Sequence, residues 1–118
     1  MSQKLKSMHD LVMHVQKALD SVYGYGTTED IESFGWQATQ ASVVWGLKAA
    51  RKGSLEDIAA AVHDGWAMIA KHFPDPVYAS KPEKRETRLV LANTPYDKLS
   101  EGEKWKDRIV AVAIRDVQ

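Results

Sequence analysis

Residues 54–73, SLEDIAAAVHDGWAMIAKHF, decide the fold class because apolar side chains recur in them at helical spacing. Steps of three or four residues place the large apolar side chains on one face: Leu55, Ile58, Val62, Trp66, Ile69 and Phe73. This spacing predicts an amphipathic α-helix. Gly53 closes the preceding segment and Ser54 opens the helix, while Pro74 and Pro76 end it.

Two further helices are predicted before this segment. Apolar residues at helical spacing predict the first helix from about Lys4 to Val22, followed by a reversal at the glycines of 23–26, YGYG. Thr27 or Thr28 is then the expected N-cap of a second helix, which we expect to run from about Glu29 to Lys52. Acidic residues follow these threonines, and they favour the positive end of the helix dipole.

The second predicted helix is apolar on two sides. One face carries Ile31, Phe34, Ala38, Trp45 and Ala49, and the opposite face carries Trp36, Val43 and Leu47. Such a helix must be covered on both sides. It is therefore either the central helix of a bundle or a contact with a second copy of the chain, in which case Trp36, Val43 and Leu47 form the homo-oligomer interface.

The C-terminal part is expected to be a long loop followed by one more helix. The loop spans 74–93 and is expected to include a short extended piece at 88–92, and a loop of this length is usually functional or mobile. Ser100 and Glu103 have the spacing of a capping box at the start of the last helix. Trp105, Ile109 and Val112 are its predicted buried stripe, with Val110, Ile114 and Val117 around the back. The whole chain is thus predicted to be one mainly all-α domain of four helices.

Composition excludes several classes of protein. The chain has 118 residues, a formal net charge of zero and no cysteine. Balanced charge argues against general nucleic-acid binding, and the missing cysteine excludes disulfides and cysteine-ligated zinc. No apolar run approaches the roughly 20 residues that cross a bilayer, and the N-terminus does not resemble a signal peptide. We therefore expect a cytoplasmic protein without a membrane partner.

Three groups of residues could bind a ligand. His63 and Trp66 are neighbours on the third helix, although a half-buried histidine beside a core tryptophan would explain them equally. Lys104 and Arg108 lie one turn apart on the last helix and could hold a phosphate or carboxylate, or simply form a solvated basic edge. Tyr96 follows a proline, and its ring could stack on a base or cover the core.

Signs of catalysis are weak. The sequence contains no nucleophile elbow, no phosphate-binding loop and no H-E-x-x-H motif. His9 and His14 fall about 140° apart on a helix, a poor arrangement for one metal ion. We expect neither an enzyme nor a metal or cofactor site.

Two motifs resemble the ryanodine-receptor repeat (RyR) domain, a family with small stand-alone members in bacteria and phages. The family's I-A-x-x-x-H-x-x-W pattern is matched by Ile58, Ala59, His63 and Trp66. Its P-Y-x-x-L-x-x-x-E-K-x-x-D-R pattern is matched by Pro95, Tyr96, Leu99, Glu103, Lys104, Asp107 and Arg108. The resemblance covers residues 54–118, so residues 1–53 would be an added helical pair.

The resemblance implies a non-enzymatic module that binds a small anionic ligand, above all a nucleotide or a nucleotide-derived signal. The implied site combines His63, Trp66, Tyr96, Lys104, Asp107 and Arg108. Trp66 and Tyr96 would sandwich a base, His63 would hydrogen-bond it, and the two cations would neutralise phosphate. A phage member could act as an anti-defence sponge for a host immune signal. The alternative is a structural helical module that homo-oligomerises.

Overall fold

The computed structural model describes residues 7–51, 53–72 and 82–117, and within them the regular structure is entirely helical. Five α-helices follow one another in this part of the chain: α1 Met8–Tyr23, α2 Phe34–Ala50, α3 Leu55–His72, α4 Pro82–Ala92 and α5 Glu101–Asp116. A short 3₁₀ turn, Tyr96–Lys98, precedes α5. The mainly all-α prediction is confirmed. Some predictions fall outside the described residues. They are the helix start at Lys4, the stripe residue Phe73, the helix stop at Pro74 and Pro76, and the part of the loop up to residue 81.

Four helix starts are set by serine caps, and at the start of α3 Ser54 Oγ accepts from the Asp57 amide at 3.2 Å. Ser7 Oγ accepts from the Asp10 amide at the start of α1, and Ser33 Oγ accepts from the Trp36 amide at the start of α2. Ser100 Oγ accepts from the Glu103 amide, as the capping pattern predicts for α5.

Helix α2 begins later than predicted because Thr28 is held in a loop. The Gln16 side chain donates to the Thr28 carbonyl at 3.0 Å and accepts from the Thr28 amide at 2.7 Å. Thr28 Oγ1 accepts from the Asp30 amide, which makes a local turn and not a helix N-terminus. The prediction of an N-cap at Thr27 or Thr28 is therefore wrong, and the buried Gln16 is the reason.

The predicted extended piece at 88–92 is also wrong, because these residues form the last turns of α4. Pro82 occupies the first helical position, where its fixed φ angle and missing N–H are tolerated. Arg88 is buried, with its guanidinium carbon 3.5 Å from the centre of the Phe34 ring on α2. The apolar run at 89–91 thus continues a helix that packs on α3.

Helix α2 is in contact with three other helices, α1, α3 and α5. Trp36 is 3% exposed and Val43 0%, and Leu47 packs against the main core cluster. Trp36 and Val43 are therefore covered within one chain and unavailable for the predicted homo-oligomer contact, whereas Leu47, its third member, is only partly buried. The main core consists of Leu11, Val15, Val43, Ile58, Ala59, Val62, Val110, Ala111, Ala113 and Ile114.

The buried face of α5 is the reverse of the predicted one. Val110 and Ile114 are buried, whereas Trp105 is 55% exposed and Val112 37% exposed. Both faces of this helix carry apolar residues at helical spacing, so periodicity could not decide between them. Contacts of α5 with α1, α2 and α3 favour the face with smaller side chains.

Candidate functional site

A cavity of about 700 Å³ lies between α2, α3, α4 and α5, and its walls are mostly apolar. Its volume falls in the range typical of small-molecule sites. Apolar groups from all four helices contribute, among them Ala38, Val62, Trp66, Leu91 and Val110. Each of these four helices also contributes polar side chains, and α5 contributes three of them, Glu103, Lys106 and Asp107. They are what could orient a ligand.

His63 is the buried polar residue on the α3 wall. Its ring is held by Nε2, which lies 2.7 Å from the Thr94 carbonyl oxygen. Because a carbonyl can only accept, Nε2 carries the hydrogen and donates it. The contact links α3 to the segment between α4 and α5, and it leaves Nδ1 on the side of Asp107.

Asp107 faces His63 from α5, with 3.6 Å between Oδ2 and Nδ1. Only 14% of its side chain is exposed. Burial raises the pKa of this carboxyl to about 8, with Glu103 and Asp64 adding to the increase and Lys106 opposing it. At neutral pH the carboxyl is thus largely protonated, which is unusual for an aspartate.

Trp66 provides a flat surface beside this pair. Its ring lies 5.9 Å from the His63 ring, centre to centre, with 26° between the planes. Both residues line the cavity, one turn apart on α3. Their pairing confirms the helical neighbourhood that the sequence predicts.

The α5 wall also carries an ion pair that sequence reasoning missed. Lys106 Nζ lies 3.2 Å from Glu103 Oε2, and both residues line the cavity. Burial lowers the pKa of Lys106, but hydrogen bonds to Tyr25 and Glu103 outweigh it and raise the pKa overall. Tyr25 lines the same cavity and stacks on Tyr23 at 5.2 Å between ring centres. In the sequence, the capping position already explained Glu103, and the implied ligand site did not include it.

The other three predicted site residues lie outside this cavity. Arg108 donates to both oxygens of Glu56, at 3.0 and 2.7 Å, and to Glu101 at 2.8 Å. The Tyr96 hydroxyl donates to Glu56 at 2.9 Å. Lys104 Nζ is 3.9 Å from Glu101 and 5.5 Å from the Tyr96 ring centre. We call Glu56, Tyr96, Glu101, Lys104 and Arg108 the ion-pair cluster.

The charged groups of the ion-pair cluster bind one another, as the shifted pKa values of its members indicate. Hydrogen bonds from Arg108 lower the pKa of Glu56 to about 2, although burial opposes them, and the Tyr96 hydroxyl assists. Burial and the bond to Glu56 raise the pKa of Tyr96 to about 12. The guanidinium is thus occupied by two carboxylates, and the cluster fastens the 3₁₀ turn and α5 to the start of α3.

The six predicted ligand-binding residues therefore divide into two groups. His63, Trp66 and Asp107 line one cavity, whereas Tyr96, Lys104 and Arg108 do not line it. A sandwich of one base between Trp66 and Tyr96 is inconsistent with this arrangement. Glu56 causes this division because it binds Arg108 and Tyr96 away from the cavity. Its contact with Arg108 depends on tertiary packing.

Within the described ranges, no cluster of three or more histidine, cysteine or acidic side chains could hold a metal ion. None of the helices in those ranges has the length and hydropathy needed to cross a membrane.

No protein-family model matches this chain, and neither the curated proteins nor the solved structures contain a match to it.

Proposed function

We propose that this chain is a non-enzymatic protein that binds a small, flat ligand in the cavity between α2, α3, α4 and α5. The observation that carries the proposal is the His63–Asp107 pair, two hydrogen-bonding groups 3.6 Å apart on the wall of a mostly apolar cavity. A few fixed polar groups in an apolar cavity are typical of ligand sites. The RyR resemblance suggests a nucleotide or nucleotide-derived signal as the ligand class.

Binding would combine stacking with hydrogen bonds at one edge of the ligand. The Trp66 ring offers the stacking surface, and stacking a base on an aromatic ring contributes roughly 1–3 kcal/mol. His63 and Asp107 would contact the ring edge. No bond of the ligand changes, which fits a protein that senses or sequesters its ligand.

The contacts favour a revised location for negative charge on the ligand. Lys104 and Arg108 do not line the cavity, so they are poor candidates for a phosphate bound there. Lys106 and Arg88 are the basic residues that line the cavity. An anionic part of the ligand would have to lie near these two, away from Asp107.

The free energy lost by burying the Asp107 carboxyl supports a functional role for this residue. A carboxyl whose pKa is raised by burial destabilises the folded state at neutral pH relative to a neutral residue. Such costs concentrate at functional sites, where binding compensates for lost stability. The Arg108–Glu56 contact, in contrast, satisfies both partners and serves the fold.

The test is thermal stabilisation by a panel of nucleosides, nucleotides and flat non-nucleotide rings, followed by calorimetry on those that raise the melting temperature. Trp66→Leu keeps an apolar side chain but removes the flat ring, so we expect about tenfold weaker binding or more. Lys104→Gln, outside the cavity, is the matched control and should bind as the wild type does. The ligand recovered after denaturation should be chemically unchanged. A panel without any stabilising compound, or loss of binding in Lys104→Gln alone, would contradict the proposal.

Self-association through α5 is the alternative, favoured by one observation. Trp105 and Val112 lie seven residues apart on the exposed side of this helix, with Ile109 between them. Exposed apolar strips of this kind often mark protein interfaces. A second copy of the chain would then cover this strip and not Trp36, Val43 and Leu47.

A further inference from the structure

When Asp107 is ionised, the wall formed by His63 and Asp107 presents two hydrogen-bond acceptors. Nε2 of His63 donates to the Thr94 carbonyl, so in the neutral imidazole Nδ1 has a lone pair and accepts. An ionised Asp107 carboxylate also only accepts. At 3.6 Å these two atoms are too far apart to share a proton in one hydrogen bond. Two parallel N–H groups could reach both.

The charges around Asp107 favour a donor group as its partner. From α5 it faces Glu103 and Lys106, and from α3 it faces Asp64 and His63. Lys106 pairs with Glu103, and Arg88 of α4 lies against the Phe34 ring. The α2 wall adds the uncharged Thr39 and Ser42. Among the described side chains, His63 is the one within ion-pair distance of Asp107.

In the ligand-free protein, a bound proton neutralises the Asp107 carboxyl in place of a cationic side chain. Burial raises the pKa of Asp107 to about 8, so near neutrality the carboxyl retains a proton that an exposed aspartate would release. A ligand that donates two hydrogen bonds to this wall stabilises the ionised form. Its binding would therefore displace the proton into solvent.

We propose that the His63–Asp107 wall selects ligands that carry two adjacent N–H donors, one directed at the Asp107 carboxylate and the other at His63 Nδ1. Amidines, guanidines and the guanine edge belong to this class. A ring with a single N–H, or with an acceptor in place of one donor, would leave one of the two wall groups unpaired. This inference rests on the proposed function, because it assigns the chemistry of the ligand that the cavity takes.

Guanosine and inosine are the decisive pair, because inosine keeps the shape and the ring N–H of guanosine but lacks its amino group. Calorimetry with the wild-type chain should give about tenfold tighter binding of guanosine or more, as expected for a hydrogen bond to a charged group. Benzamidine and benzamide form a second pair outside the nucleosides, and benzamidine should bind more tightly. Because one proton is displaced, guanosine affinity should rise about tenfold per pH unit from pH 6 and level off near pH 8.

Two substitutions test whether Asp107 itself gives the preference for guanosine over inosine. Asp107→Asn keeps the shape of the side chain but replaces one acceptor with a donor, so guanosine should lose its advantage over inosine. Lys104→Gln, on the same helix but outside the cavity, should retain it. Equal binding of guanosine and inosine by the wild type, or affinity that falls as pH rises toward 8, would overturn the inference while leaving the proposed function intact. If no nucleoside and neither benzene derivative binds, both the inference and the proposed function are overturned.

Discussion

At the scale of single residues, Asp107 is the feature that separates a ligand site from a well-satisfied core. An aspartate on the surface ionises near its ordinary pKa of 3.8, whereas burial raises the pKa of this one to about 8. The folded protein therefore binds a proton that the unfolded chain releases between these two pH values. Stability from this group is complete below pH 3.8 and is lost as pH rises through about 8.

Asp107→Asn should therefore stabilise the protein at neutral and alkaline pH. The amide has nearly the same shape and no charge to desolvate, so the variant avoids a cost that grows by about 1.4 kcal/mol per pH unit between the two pKa values. We expect a gain of a few kcal/mol at pH 8 and almost none at pH 4, measured by thermal or urea unfolding across this range. Asp97→Asn, on the exposed 3₁₀ turn, is the control and should show no comparable pH dependence. A variant less stable than the wild type at pH 8 would show that the Asp107 carboxylate is compensated in the fold.

Residue types in the site were predictable from sequence only in part. His63 and Trp66 stand one turn apart on a strongly periodic helix, so their proximity followed from helical geometry. The pairing of Arg108 with Glu56 joins residues 52 positions apart, and no local pattern encodes it. Without that pairing, Lys104 and Arg108 looked like unoccupied cations. The resemblance placed Asp107 in the site, but its protonation depends on burial that appears only in the fold.

At the scale of secondary-structure elements, the crossing of α2 and α3 depends on Gly65. A Cβ at this position would lie 2.5 Å from the Ala41 carbonyl oxygen and 3.1 Å from the Ser42 Cα. Ser42 Oγ donates to the Val62 carbonyl at 3.2 Å across the same contact. The two helix backbones therefore approach so closely that even a methyl group does not fit between them. This approach sets the distance between the cavity walls that Thr39 and Ser42 form on one side and His63 on the other.

Gly65→Ala should destabilise the protein by about 2–3 kcal/mol or more, although alanine normally favours a helix. The clash is with backbone, which cannot rotate away, so the two helices must separate. Gly102→Ala is the matched control within α5, because its Cβ would meet nothing closer than Ser100 Oγ at 4.0 Å. That change should be neutral or stabilising by up to about 1 kcal/mol. Equal melting temperatures for Gly65→Ala and wild type would contradict the close crossing.

The element boundaries show where sequence patterns stop being informative. Apolar periodicity located α1, α2, α3 and α5, since each of these helices carries apolar residues at helical spacing. It misassigned 88–92 because three apolar residues in a row fit a strand as well as the end of a helix. The choice depends on Arg88, which is buried against Phe34 from α2. Similarly, the buried face of α5 depends on which side chains the other helices can accommodate.

At the scale of the whole molecule, three sides of α5 have different surroundings. One side carries Glu103, Lys106 and Asp107 into the cavity, and another carries Arg108 to Glu56 on α3. The strip of Trp105 and Val112 remains exposed, with the Arg108 guanidinium 5.0 Å from the Trp105 ring centre. Ligand binding and self-association would therefore use separate surfaces, and each can be removed without the other.

Light scattering coupled to size-exclusion chromatography distinguishes the interface predicted from the sequence at Trp36 from the interface that the structure suggests at Trp105. Trp36→Glu places a charge where the side chain is 3% exposed, so we expect loss of several kcal/mol and of helical circular dichroism, not a folded monomer. Trp105→Glu alters a side chain that is 55% exposed and should leave helicity and melting temperature nearly unchanged. If two copies pair through α5, the wild type elutes with the mass of two chains and Trp105→Glu with the mass of one. A wild-type mass of one chain would exclude this pairing, and a folded, dissociated Trp36→Glu would restore the interface predicted at Trp36, Val43 and Leu47.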